Sequence, residues 1–105
     1  LARLGQPVDV TSEVTDLGVE PTRFRLARKV ASRQAEAGDG PLIGPVLANR
    51  KDTTFTLDVL GYADDSVRGE RFVVVVAPGE AGFQVQKATA TPMCARSVDT
   101  SGLCG

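Results

Sequence analysis

Residues 53–92 read TTFTLDVLGYADDSVRGERFVVVVAPGEAGFQVQKATATP, and the fold turns on how this run divides. In Thr53–Tyr62, Phe55, Leu57 and Val59 share one parity, while Thr54, Thr56 and Asp58 share the other. Side chains on a strand alternate between its faces, so this stretch reads as a strand with one buried face. Glu70–Ala77 is different. Its centre, Phe72 to Val76, is apolar at both parities, which fits a central strand covered on two sides. Gly82–Thr91 starts with Phe83 and Val85 inward and Gln84 and Gln86 outward. Ala88 and Ala90 then follow with the opposite parity. A β-bulge near Lys87 accounts for the change of face. APGEAG, residues 77–82, reads as a short hairpin turn, and ADDSVRG, residues 63–69, as a longer loop.

The N-terminal half is less regular. In Pro7–Thr15, Val8, Val10 and Val14 share a parity, which reads as a half-buried strand; a short helix capped at Thr11 or Ser12 is the alternative. Residues 20–38, EPTRFRLARKVASRQAEAG, fit a helix from Pro21 to Ala37. Pro21 suits a first turn and Gly38 suits the position after the last. Phe24, Ala27, Val30, Ala31 and Gln34 form a helical stripe with Leu26 beside it, and Arg23, Arg25, Arg28, Lys29 and Arg33 surround it. The alternation in TRFRLARKVA leaves a strand as the rival. GDGPLIGPV, residues 38–46, is a loop by its glycines and prolines. A short edge strand, Val46 to Asn49, is expected after it.

The expected class is therefore α+β: a single domain with one helix on an antiparallel sheet of three to five strands, in the order strand, helix, meander. Phe55, Leu57, Val59, Phe72, Val74, Phe83 and Val85, with Phe24 and Val30, are the expected core. The doubly apolar strand calls for cover on its second face, from a second copy of the chain or from the N-terminal segment. Residues 1–6 read as a loose leading segment, and 92–105 as a closed tail.

Composition limits the chemistry. The chain has 105 residues, 42% of them hydrophobic and 24% charged, with a net charge of −1. Twelve basic residues against thirteen acidic ones leave no global field for nucleic acid or anionic lipid. Tryptophan is absent and aromatics are 5%, which disfavours a stacking platform for single strands. Histidine is absent, so Ser–His–Asp and Cys–His arrangements are excluded within this chain. No catalytic residue, metal ligand or cofactor site is expected. An enzyme built here would have to use groups such as Asp58 or Tyr62 in one cleft. Asp64, Asp65 and Glu70 form the densest carboxylate cluster, and its spacing is not that of an EF-hand. A polar hairpin loop is the plainer reading. The glycines at 38, 40 and 44 match no phosphate-loop pattern.

The two cysteines, Cys94 and Cys104, have nine residues between them. A disulfide is the first reading, because the intervening Ser, Thr, Asp and Gly turn easily. Half a zinc site, a redox pair and two free thiols are the alternatives. A disulfide would imply an oxidising compartment, hence an extracytoplasmic protein, secreted or anchored at the cell surface. It would shape a small loop carrying Arg96, Val98 and Asp99, either a contact surface or merely a stop against fraying.

DDSVRGERFVVVV, then GFQV, then the late cysteine pair resemble small extracytoplasmic domains of actinobacteria. Among these are lipoproteins of the LppP/LprE kind and similar secreted proteins of unknown function. The resemblance covers about residues 60–104. It departs at Phe83, where those proteins often carry tryptophan. It implies a protein that is either exported or lipid-anchored, with any anchor outside this sequence, and it carries over no catalytic residues. Two functions follow as expectations: a non-enzymatic cell-envelope domain that binds a protein partner or assists assembly, or a carrier of a small apolar ligand. The carrier would need a pocket between helix and sheet lined by Phe24, Phe55, Phe72 and Phe83.

Overall fold

A computed structural model describes residues 3–14, 22–35, 42–62, 66–79, 82–95 and 98–104. Its elements are β1 (Arg3–Leu4), β2 (Val8–Asp9), a 3-10 turn (Thr11–Glu13), α1 (Arg23–Ala35), β3 (Ile43–Lys51), β4 (Thr54–Leu60), β5 (Val67–Pro78) and β6 (Phe83–Cys94). The strands form one antiparallel sheet. The meander β3–β4–β5–β6 runs across it, and β1 and β2 sit in succession along the outer side of β6. α1 packs on one face, over β4, β5 and β6, and touches β3 only lightly. The α+β class and the strand–helix–meander order hold, in a molecule dominated by strand.

The meander follows the sequence periodicities closely. Phe55, Leu57 and Val59 on β4 alternate as buried residues with half-buried Thr56 and Asp58. On β5, Phe72, Val74 and Val76 lie under the helix with at most 1% exposure. The bulge falls where the parity slips: Val75 pairs with Lys87 and Val76 with Val85, which leaves Gln86 as the extra residue. That residue moves Ala88 and Ala90 to the buried face. β5 and β6 join through residues 79–82, where Gly79 N donates to Gly82 O at 2.6 Å. The edge strand is longer than expected, reaching from Ile43 to Lys51, and passes through a cis Gly44–Pro45 bond.

Five corrections arise. Phe24 is 40% exposed, not core, because it stands on the first turn of α1, beyond the main helix–sheet contact. Its ring centroid still lies 6.2 Å from that of Phe55. Phe83 and Val85 pack against the core only partly. Leu26, placed beside the helical stripe, lies at its centre: Leu26, Ala27, Val30 and Ala31 all have 0% exposure.

The strand expected over Pro7–Thr15 shrinks to Val8–Asp9. Asp9 Oδ1 accepts a bond from Thr11 N at 2.9 Å, which turns the chain. Thr11 Oγ1 then takes the bond from Ala88 N at 3.0 Å that a further strand residue would have taken. Val8 is exposed while Val10 and Val14 are buried, so the three valines do not share a face. Finally, the described part of the leading segment is paired: Arg3 and Leu4 lie opposite Cys94 and Met93, and Gly5 N donates to Pro92 O at 2.8 Å. The edge of β6 offers unpaired backbone groups, and this segment satisfies them. Pro21, Ala37 and Gly38, the expected limits of the helix, lie outside the described residues.

Candidate functional site

Among the described residues, two surfaces of the sheet, one loop and a groove at the rim of the helix carry exposed chemistry. The first is the sheet face opposite α1. Val73 and Val75 point there from β5, beside Thr89 and Thr91 of β6 and Thr54, Thr56 and Asp58 of β4. The second-face cover anticipated for β5 is partial. Leu4 and Pro7 reach its flank, and with Arg71, Val73, Val75, Lys87, Thr89 and Thr91 they line an open groove of about 430 Å³. Asp58 holds Arg71 across this face by paired bonds of 2.8 and 2.9 Å. That contact raises the Arg71 guanidinium above its ordinary value and commits the Asp58 carboxylate.

The groups named for a hypothetical enzyme do not converge in one pair. Asp58 is bound to Arg71, whereas Tyr62 Oη donates to Glu70 Oε1 at 2.7 Å. Burial, and then the bond and charge of Glu70, push the Tyr62 phenol well above its usual range. Asp64 and Asp65 lie outside the described residues. Among the described residues, no cluster of three or more His, Cys, Asp or Glu side chains lies close enough to share a metal ion.

Tyr62 is the only tyrosine, so its titration can be read directly. Its folded pKa lies above the unfolded one, so its contribution to stability is whole below pH about 10 and fades as pH rises through the higher folded value. Tyrosinate absorbance of the folded protein should therefore stay low at pH about 11, where a free phenol is mostly ionised. Tyr62→Phe should remove this part of the alkaline loss of stability. Ionisation of native Tyr62 near pH 10 would contradict the buried pairing.

The second surface is β3, the edge that pairs with β4 and with no other described strand. Its register places Ile43 opposite Leu60 and Val46 opposite Asp58, on the face away from the helix, and Leu47 opposite Leu57 on the helix face. The helix does not extend over this margin. Ile43 is 62% exposed, Val46 56%, Leu47 42% and Leu60 39%. Ile43, Val46 and Leu60 thus group on one face and Leu47 stands on the other, beside an edge that no other described strand pairs and whose outward backbone groups can accept another strand.

The loop is closed by the Cys94–Cys104 disulfide, with Cα atoms 5.1 Å apart. Asp99 organises it from within. Its Oδ1 accepts bonds from Ser101 N at 2.9 Å, Ser101 Oγ at 2.8 Å and Leu103 N at 3.0 Å. The Leu103 amide, then the Ser101 hydroxyl, hold this carboxyl below the usual carboxylate range. Val98 bridges to Cys104, and Gln6 N donates to Gly102 O at 2.9 Å, so the loop rests on the N-terminal segment. Of the three expected contact residues, Val98 and Asp99 are thus tied into the loop's own bonds, and Arg96 lies outside the described residues. Reduction should cost about 2–3 kcal/mol for a loop of this length in the chain-entropy model. Intact masses measured with and without reductant should differ by two hydrogens, with a lower melting temperature in reductant. Identical masses would exclude the bond.

The aromatic side chains separate into two groups. Phe55 and Phe72 have 0% exposure and belong to the packed core. Phe24 and Phe83 stand at the rim, where they line a shallow groove of about 320 Å³ with Thr22, Arg23 and Arg50. Sequence reasoning named neither this groove nor Arg50, because the two arginines come from α1 and β3 and meet only in the fold. Among the described residues, no helix is long and apolar enough to cross a membrane. Comparison with protein-family models, with curated proteins and with solved structures finds no match for this chain.

Proposed function

We propose that this chain is a non-enzymatic, exported domain of the cell envelope that binds a protein partner along β3. The observation that carries the reading is that Ile43, Val46 and Leu60 on one face and Leu47 on the other, each at least 39% exposed, flank a sheet edge that no other described strand pairs. A partner offering an extended segment would gain main-chain bonds along β3 and bury these side chains. Burying apolar surface gives about 25 cal/mol per Å², so four such residues can supply much of the drive for a transient contact. Pro45 and the two register shifts in β3 work against indiscriminate pairing, since they interrupt the ladder that an arbitrary strand would need. Export is supported by the disulfide, which persists in oxidising compartments.

A photo-reactive amino acid at Val46 tests the reading in intact producing cells. It should give a discrete protein adduct, while the same group at Arg28, on the exposed side of α1, should give none. Adducts of equal yield at both positions, or none at Val46, would remove the edge as the binding surface. An adduct with a second copy of the chain would instead assign β3 to a homodimer.

A further inference from the structure

The rim groove at the start of α1 is independent of the β3 reading, and its chemistry is different. Arg23 lies over the Phe83 ring at 4.9 Å from its centroid, and Arg50 over the Phe55 ring at 5.1 Å. These ring contacts orient both guanidinium groups without neutralising them. Among the described residues, neither has a carboxylate partner, although the chain carries thirteen acidic side chains against twelve basic. Arg71, by contrast, is paired with Asp58. Arg23 Nε is also excluded from solvent and meets no hydrogen-bond acceptor. A buried donor without an acceptor is rare in folded proteins and calls for an explanation.

From the geometry we infer that this groove binds the phosphate of a phosphomonoester, with Phe24 and Phe83 as the wall for its carbon portion. Several features agree with that ligand. Two guanidinium groups from separate elements present fixed forks of N–H donors, the geometry that suits phosphate oxygens. A phosphomonoester carries about −1.5 to −2 charge at neutral pH, which matches two arginines that have no carboxylate partner among the described residues better than a single carboxylate ligand does. Thr22 caps the helix: its Oγ1 accepts the bond from Arg25 N at 3.3 Å, which leaves its own hydroxyl proton for a ligand oxygen. The positive end of the thirteen-residue helix α1 lies at the same place. The 40% exposure of Phe24 leaves ring surface for an apolar or sugar moiety beside the phosphate. An oxyanion seated there would bring acceptors to the terminal nitrogens of Arg23, and a small shift of the guanidinium would let it reach Nε as well.

The source of the phosphate is either a soluble ester or a lipid headgroup, and two probes distinguish them. Phenyl phosphate is titrated calorimetrically against the folded protein, with inorganic phosphate for comparison. Flotation is measured with vesicles of phosphatidic acid in phosphatidylcholine, against phosphatidylcholine alone. Phenyl phosphate should bind several-fold more tightly than inorganic phosphate. Arg23→Gln and Arg50→Gln should each weaken binding about tenfold, the loss expected for a charge-assisted contact. Arg28→Gln, on the open side of the same helix, should change it little. Flotation that depends on Arg23 and Arg50, without binding of phenyl phosphate, assigns the site to lipid. Absence of both binding and flotation overturns the proposal, as does an equal loss in Arg28→Gln, which would mean a diffuse charge effect. Each variant is compared by its melting curve, and because Arg23 and Arg50 lie at the rim, loss of folding is not expected.

Discussion

Phe72→Ala should destabilise the protein by about 3–5 kcal/mol, the range for truncating a buried aromatic. Phe72 sits at the middle of β5, paired with Leu57 on one side and Ala90 on the other, and has 0% exposure. Its neighbours on the sheet are short or medium side chains, and α1 closes over the same face with Leu26, Ala27, Val30 and Ala31. A cavity left there is roofed by a helix and floored by a paired sheet, so little can collapse into it. For a domain of this size each kcal/mol moves the melting temperature by roughly 4–8 °C, so a fall of at least roughly 12 °C is expected. Urea unfolding should show a lower midpoint with an unchanged slope. A shift of a degree or two would mean that the helix does not seal this part of the sheet.

Gly69→Ala should cost about as much, about 3 kcal/mol or more, at the upper end of overpacking effects. The cause is backbone contact. Gly69 lies where β5 passes the end of β4, and a Cβ on it would overlap the Val59 carbonyl oxygen and stand 2.9 Å from Leu60 Cα. Neither atom belongs to a flexible side chain, so the two strands must part. Gly69 also lies opposite Met93 of β6, beside a register shift, so the disturbance would reach both neighbours of β5. Urea denaturation measures the effect, and amide exchange should show Leu60 and Val59 losing protection first. A cost below about 1 kcal/mol would show that β4 yields at this point.

The meander was legible because its signals are local. A period of two in Phe55, Leu57 and Val59, a doubly apolar centre in β5 and a parity slip at Gln86–Lys87 each fix a face without reference to any distant residue. The helix was legible for the same reason, although the weight of its buried face falls on Leu26 and the alanines and not on Phe24. The N-terminal strand was not legible as it stands. Asp9 and Thr11 read equally well as strand polar positions, and only the nearby Ala88 amide decides that Thr11 replaces backbone in the ladder. The same holds for Gly69, whose role depends on where β4 crosses.

By itself, then, the amino-acid sequence determined the class, the order of the meander, the bulge and the disulfide-forming pair, because periodicity and turn chemistry act over a few residues. The tertiary structure alone decided which surfaces are left open. Leu47 is open because α1 lies over β4 to β6 and only lightly over β3, while Ile43, Val46 and Leu60 are open because they stand on the face away from the helix. The convergence of Arg23 and Arg50 on one aromatic groove follows from the packing of α1 against the sheet. Both are long-range consequences of how one helix sits on one sheet, and no pattern within either segment encodes them.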